Sequence, residues 1–250
     1  MTTRRKICAA LAALCASGAA TATEVRGAYG DWNFAIAGTT TGNGTTYDFE
    51  RDLDARRAGK RSLQLAWDTG PGWWKPDLAL GDSRLGANGT HTETTVTVLP
   101  PPLPPSTTTT TFSVTSNFRD QDLVARYPLN SGAVKLSAGL AIKHLKGTVV
   151  ITDSRQSQPS RGDYDETFPE LHLQLRWPAL HWLALETMAQ GVHYKDSTAF
   201  EWRASAELRA LDPLLLEMSW QQKRYDIQVN SDAVNASLNG VLLRAGLLFR

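Results

Sequence analysis

The sequence predicts an all-β fold, an antiparallel up-and-down transmembrane β-barrel of about ten strands, with eight and twelve as the neighbouring even counts. Three observations carry this reading. Long stretches alternate between apolar and polar residues, most clearly Phe200–Gln222. There Phe200, Trp202, Ala204, Ala206 and Leu208 share one face, while Glu201, Arg203, Ser205, Glu207 and Arg209 share the other. After Asp212-Pro213 the pattern resumes, with Leu214, Leu216, Met218 and Trp220 opposing Leu215, Glu217, Ser219 and Gln221. Successive side chains on a strand point to opposite faces, so this is a hairpin with one greasy and one charged surface. Second, short connections alternate with long ones, save for a short one after Tyr194 where a long one is due, as in barrels with short periplasmic turns and longer outer loops. Third, aromatic residues gather at two levels: Trp67, Trp73, Trp74, Tyr127, Trp177 and Trp182 near the short turns, and Phe200, Trp202, Trp220 and Tyr225 at the opposite level. Two aromatic girdles are what the two interfaces of a bilayer select.

Taken in order, the chain opens on a secretory leader. Arg4, Arg5 and Lys6 precede a small, apolar run, and Ala20-Thr21-Ala22 fits a cleavage site, so residues 1–22 are excluded from the fold and 23–250 form the barrel. Cys8 and Cys15, both in the leader, are the two cysteines of the chain, so the exported part has no disulfide and no thiol chemistry. Export also changes the formal net charge from +1 to −2, and no basic surface calls for nucleic acid. No uncharged apolar run reaches the ~18 residues of a membrane helix. The address this implies is the cell outer membrane.

Val25–Gly38 reads as the first strand and Tyr47–Asp68 as its return, with a bulge or small excursion at the charged segment Arg51–Arg61. Gly70-Pro71-Gly72 turns the chain into a third strand. Residues 86–117 hold a proline cluster, Pro100 to Pro105, and a threonine run, and read as a projecting extracellular loop or hairpin. The Asp122–Tyr127 and Val134–Ile142 runs alternate cleanly, and a polar loop is expected over Asp153–Asp165. Leu171, Leu173, Leu175 and Trp177 then oppose Glu170, His172, Gln174 and Arg176, with a tight turn at Pro178–His181. A long loop is expected after Tyr225, and Val234–Phe249 closes the chain.

Alternation alone does not say which face is the core. A soluble periplasmic lipocalin-like barrel would bury the leucines and solvate the charges. The length of the Val134–Ile151 stretch, the girdles and the closing strand favour lipid outside. The charged face then lines a lumen containing Asp122, Arg126, Lys135, Lys143, Glu170, His172, Arg176, Glu186, Glu201, Arg203, Glu207, Arg209, Glu217 and Arg244. A small barrel is filled by its own side chains, and mixed charge suits mutual pairing. Counting from Asp212 sets Glu207 opposite Glu217, with Arg203, Arg209 and Arg244 within reach; counting across Pro178 brings His172 near Glu186. Two facing carboxylates can share a proton or hold a cation. A lipid- or lipopolysaccharide-modifying hydrolase would need a serine beside His172 and Glu186, and none counts into place. No histidine belongs to a spaced metal motif, and no cofactor is implied.

The closing strand, Leu243-Arg-Ala-Gly-Leu-Leu-Phe249-Arg250, resembles the C-terminal signal read by the outer-membrane barrel assembly machinery, with one residue beyond the aromatic. That resemblance implies recognition through Val241–Arg250. Asp52-Leu53, Asp122–Tyr127 running into Val134–Val150, and Phe168-Pro169-Glu170-Leu171 are similar to a family of small proteobacterial outer-membrane β-barrel proteins of unassigned function. In that family a His-Pro-x-Pro turn stands where this chain has Gly70 to Pro76. The expected function is thus a monomeric, non-enzymatic barrel among outer-membrane lipids, structural or a narrow channel.

Overall fold

The computed structural model describes residues 24–42, 45–55, 58–69, 75–97, 105–130, 132–229 and 232–249. The expected leader, the expected turn at Gly70-Pro71-Gly72, Trp73 and Trp74, most of the proline tip and Arg250 lie outside them. In chain order the strands are β1 (Glu24–Gly42), β2 (Thr45–Asp48), β3 (Ala58–Asp68), β4 (Asp77–Thr97), β5 (Ser106–Pro128), β6 (Lys135–Asp153), β7 (Ser160–Leu180), β8 (Leu183–Tyr194), β9 (Ser197–Leu211), β10 (Leu214–Val229) and β11 (Asp232–Phe249). Apart from the short β2, each pairs antiparallel with its neighbours in sequence, and β11 returns to β1 from Val25↔Phe249 to Thr41↔Ala233. Among the described residues ten strands therefore close the wall and leave no edge along it.

A tilted strand crosses a bilayer in ~9–11 residues, yet β5 has 23 residues and β4 and β7 have 21 each. The surplus is explained by an inversion of the side-chain pattern along each strand. On the short-turn half the apolar residues point out: Leu140, Ile142, Leu171, Leu173, Leu216, Met218 and Leu243 are exposed on the outer surface, Leu171 to 70%. Their neighbours in sequence, Lys143, Glu170, His172 and Arg244, are buried inside. On the loop half the order reverses. Leu145, Val149, Ile151, Tyr164, Phe168, Ile227, Val234 and Leu238 form a buried inner core, while Lys146, Arg161 and Arg224 face out. Leucines outside and charges inside make the lower half a barrel for hydrocarbon and exclude the water-soluble alternative for it. The upper half is built like a soluble barrel standing in water.

The excursion between β2 and β3 turns inward. β2 pairs on the top of β1 (Thr39↔Asp48 to Gly42↔Thr45), and Phe49, Leu53 and Ala55 are buried in the upper core, filling the wall above the end of β3. Two glycines make this fold-back fit. Gly38 adopts φ 118°, a left-handed region closed to most residues, and its carbonyl accepts the Phe49 N–H at 2.9 Å. A Cβ at Gly89 would lie 2.0 Å from the Leu53 carbonyl oxygen.

Several expectations need correction. Pro178 lies within β7; the turn is His181-Trp182, and the register slips between Trp177 and Leu180. β10 continues to Val229 and β11 begins at Asp232, so the connection after Tyr225 is short. Lys135, at the lower end of β6, is exposed. Tyr225 shares the inward register of Lys223 and is buried in the lumen, not part of a girdle, and Trp67 is only 7% exposed. Tyr127, Trp177 and Trp182 below, and Phe200, Trp202 and Trp220 above, do face outward. The 86–117 segment forms a hairpin paired to Thr97↔Ser106, but its base is wall, because β5 pairs with β6 from Phe112↔Asp153 onward. Ser154 braces that base, exchanging backbone and hydroxyl hydrogen bonds of 3.0 Å with Thr111.

Candidate functional site

The inward registers of the lower half bring cations and carboxylates into two tiers. The tier nearest the short turns centres on Glu207 of β9. Arg26 of β1 donates to it at 3.1 Å, Arg176 of β7 at 2.7 Å, and Arg209 lies 3.0 Å away. Arg176 also reaches Glu186 at 3.2 Å, and Arg203 reaches the same carboxylate at 3.3 Å. Asp68 of β3 accepts from Arg26 at 3.3 Å and from Arg126 at 3.1 Å. In the same row as Glu207, Arg244 donates to both oxygens of Glu217 at 3.1 Å, to the Ser62 hydroxyl at 3.1 Å, and to Gln64.

The second tier sits where the pattern inverts. Asp120 of β5 and Glu201 of β9 face Lys143 of β6 and Lys223 of β10. Lys143 lies 3.2 Å from Asp120 and 3.1 Å from Glu201; Lys223 lies 3.0 Å from Glu201 and bonds Asp120. The Tyr225 hydroxyl donates to Asp120 at 2.9 Å, and Gln221 donates to Glu201. Lys223 also stands 5.6 Å from the centre of the Trp32 ring, the floor of the apolar core above. All four charged groups are buried, Asp120 to 0% exposure. Burying four charges costs more than their attraction returns unless every partner is in place, so the tier is rigid by necessity.

Lys143–Asp120 and Lys223–Glu201 link neighbouring strands along the wall, whereas the contacts of Lys223 and Tyr225 with Asp120, and of Lys143 with Glu201, are chords across the barrel. In the ring of ten strands β5 and β10 stand diametrically opposite, five places apart. The bonds from Lys223 and Tyr225 to Asp120 therefore span the lumen. Beneath this bridge a polar cavity of ≈ 30 Å³ is lined by Ser62, Gln64, His172, Gln174, Gln190 and Arg244 among others, room for about one water. Above it an apolar void of ≈ 30 Å³ is bounded by Phe34, Phe49, Leu85, Phe118 and Tyr164 among others. At the upper rim, outside the spanning half, Arg155 hydrogen-bonds Asp153 and holds its carboxyl below the usual range.

The candidate residues read from the sequence fall as follows. Glu207 and Glu217 do stand directly opposite in register. Each is paired with its own arginines: Arg26, Arg176 and Arg209 for Glu207, Arg244 for Glu217. His172 is not beside Glu186. The turn lies beyond Pro178, so His172 pairs with Gln190, its Nδ1 3.0 Å from Oε1, and Arg176 takes the place opposite Glu186. Glu170 is buried opposite Ala141, with no hydrogen bond to either oxygen among the described residues. Ser197, near His193, has its hydroxyl accepting the Gln228 N–H at 3.3 Å, and His193 pairs with Thr198. No nucleophilic pair forms at either histidine, and no group of three or more His, Cys, Asp or Glu among the described residues is arranged for a metal.

The bridge residues Asp120 and Lys223, and Arg26 and Asp68 below, were missed. Their signal was parity. Asp120 is two residues before Asp122, and Lys223 continues the inward row Glu217, Ser219, Gln221.

The comparisons with known proteins bear on the fold. The outer membrane protease OmpT of Escherichia coli superimposes with a TM-score of 0.52 at 11% identity, covering 92% of this chain and 97% of that one. The fold is that of an outer-membrane β-barrel. Looser likenesses are to the translocator domain of the autotransporter NalP of Neisseria meningitidis (TM-score 0.42, 11% identity, 99% of this chain and 95% of that one) and the attachment invasion locus protein Ail of Yersinia pestis (0.37, 10%, 90% and 98%). No protein-family model matches the chain, and no curated relative matches it in sequence. At such identities the likeness shows the fold and nothing of the activity.

Proposed function

We propose that this chain is an integral outer-membrane barrel that works as a closed, non-conducting body, anchored by its lower half and presenting its upper half and the β4–β5 hairpin outside the cell. The observation that carries this reading is the Lys223–Asp120 bridge across the full lumen, buttressed by Lys143 and Glu201, with an apolar core stacked above it. A general pore needs a continuous wet path, and here the path is interrupted twice, once by fixed ion pairs and once by dry side chains. Outer-membrane lipids bathe the leucine face, and β11, which both pairs with β1 and ends on Phe249, is the strand offered to the assembly machinery. Lipid hydrolysis is disfavoured by the Gln190 partner of His172.

The test is conductance. Refolded protein inserted into a planar bilayer should show no steady single-channel steps. A triple variant, Lys143→Ala, Glu201→Ala and Lys223→Ala, should begin to leak if it remains inserted. Uniform, long-lived openings in the wild type would sink the closed-body reading in favour of a narrow channel.

A further inference from the structure

We infer that the outer surface of β4, β5 and β6 carries a binding site for a membrane lipid whose headgroup bears more than one phosphate. This rests on the membrane placement above and goes beyond it. The antiparallel registers stack outward-facing residues of neighbouring strands into transverse rows. The row Leu80, Leu123, Ile142, Pro169 is the last apolar one on this side of the barrel. Two rungs higher, the corresponding row is Arg84, Arg119, Lys146, with Asp165 beyond. Arg84↔Arg119 and Arg119↔Lys146 are direct cross-strand pairs, so three cations stand shoulder to shoulder.

Like charges directly opposite one another across a strand pair repel, and a soluble surface gains nothing by arranging them so. The neighbouring carboxylates compensate only in part. Asp82 takes Arg119 through Nε and Nη2 at 2.9 and 2.7 Å, and Asp165 takes Lys146. The next pair up, Arg161 with Asp163, is self-contained at 3.0 Å. Arg119 and Lys146 stay about half exposed at the side chain, and Arg84 is exposed as well.

Position supplies the second argument. The cationic row lies four residues above the last leucines, ~13 Å along the strand and about 10 Å in height after a tilt of 35–45°. That is where headgroup phosphates stand when acyl chains lie against Leu80, Leu123 and Ile142. Three cations on strands ~4.8 Å apart span roughly 10 Å, wide enough to address two phosphates on one headgroup. On the opposite side of the barrel, Arg224 of β10 stands beside Asp226 and Gln222, without a cationic row.

The experiment uses the refolded full chain in neutral detergent, titrated separately with diphosphorylated lipid A, phosphatidylglycerol, phosphatidylcholine and inorganic pyrophosphate. Binding is read from the heat-unfolding temperature and from co-migration on a native gel. Lipid A should raise the unfolding temperature, and the two phospholipids should not match it. Each of Arg84→Gln, Arg119→Gln and Lys146→Gln should weaken lipid A binding about fivefold, the effect of one cation near an anionic surface. The triple variant should lose it, while Arg224→Gln on the far side binds as the wild type does. Heat-modifiable migration of the triple variant without lipid shows that it is folded. Wild-type affinity in the folded triple variant overturns the site, and pyrophosphate binding as tightly as lipid A overturns its assignment to lipid. Insertion into phosphatidylcholine vesicles is scored separately, so that a barrel which inserts but shows no lipid A preference refutes this inference and leaves the membrane placement standing.

Discussion

Replacing Glu201 by glutamine keeps its shape and removes one charge from the bridge. In the wild type, Asp120 and Glu201 balance Lys143 and Lys223, all within 3.2 Å of a partner. After Glu201→Gln, two ammonium groups face one close carboxylate, with Asp122 a distant second at 3.7 Å from Lys143. An uncompensated charge in such a site costs about 3–5 kcal/mol. The mirror change, Lys223→Met, leaves two carboxylates and one ammonium, and should cost about the same. The double variant keeps Asp120 with Lys143, one charge of each sign. It should therefore be little worse than either single variant, a coupling of about 3 kcal/mol. The assay is urea unfolding of protein in phospholipid vesicles, followed by tryptophan fluorescence and checked by heat-modifiable migration. If the two single costs simply add in the double variant, or each stays below about 1 kcal/mol, the four groups do not act as one buried unit and the closed-lumen argument loses its support.

The inversion of the strands yields three further tests. Leu173→Arg, outward in the middle of the leucine belt, should cost about 2–4 kcal/mol, whereas Thr115→Arg, outward in the upper half, should stay within about 0.5 kcal/mol; equal costs would place both in one medium. Leu145→Ala, inside the upper core at 2% exposure, should cost about 2–5 kcal/mol, measured by the same unfolding assay, and a negligible change would mean that this half is not packed. Replacing Thr94–Thr109 by a short Gly-Ser turn should leave heat-modifiable migration intact, since these residues lie beyond the β3 and β6 pairings; loss of the folded band would assign them to the wall.

The spanning half was legible because its two faces differ so sharply. Phe200–Gln222 assigned Glu207 opposite Glu217 correctly, and Leu173 and His172 fall on the sides their parity demanded, 54% and 5% exposed. The upper half was not, because the same alternation continues there with its meaning reversed. Asp153–Asp165 reads as a polar loop, yet β7 begins at Ser160, and Tyr164 and Phe168 lie inside while Asp163 and Asp165 face out. Tyr225 was placed on the outer surface for the same reason. Proline misled at Pro178: a missing donor suggests a turn, but the irregular pairing at the lower end of β7 tolerates it, and the resulting slip moved Glu186 from His172 to Arg176.

The reversal of faces along each strand also fixes how deep the barrel can sit. Sinking by one rung of two residues, ~7 Å of strand, would push Asp82 and His144, with Arg84, Arg119 and Lys146 close behind, toward hydrocarbon, at up to ~2–4 kcal/mol for each cation that reached the midplane. Rising by one rung would strip lipid from Leu80, Leu123 and Ile142, each worth about 1.5–3 kcal/mol when buried. The barrel thus carries its own waterline, and the height at which the Thr-rich hairpin stands above the bilayer is set by the sequence of the wall itself.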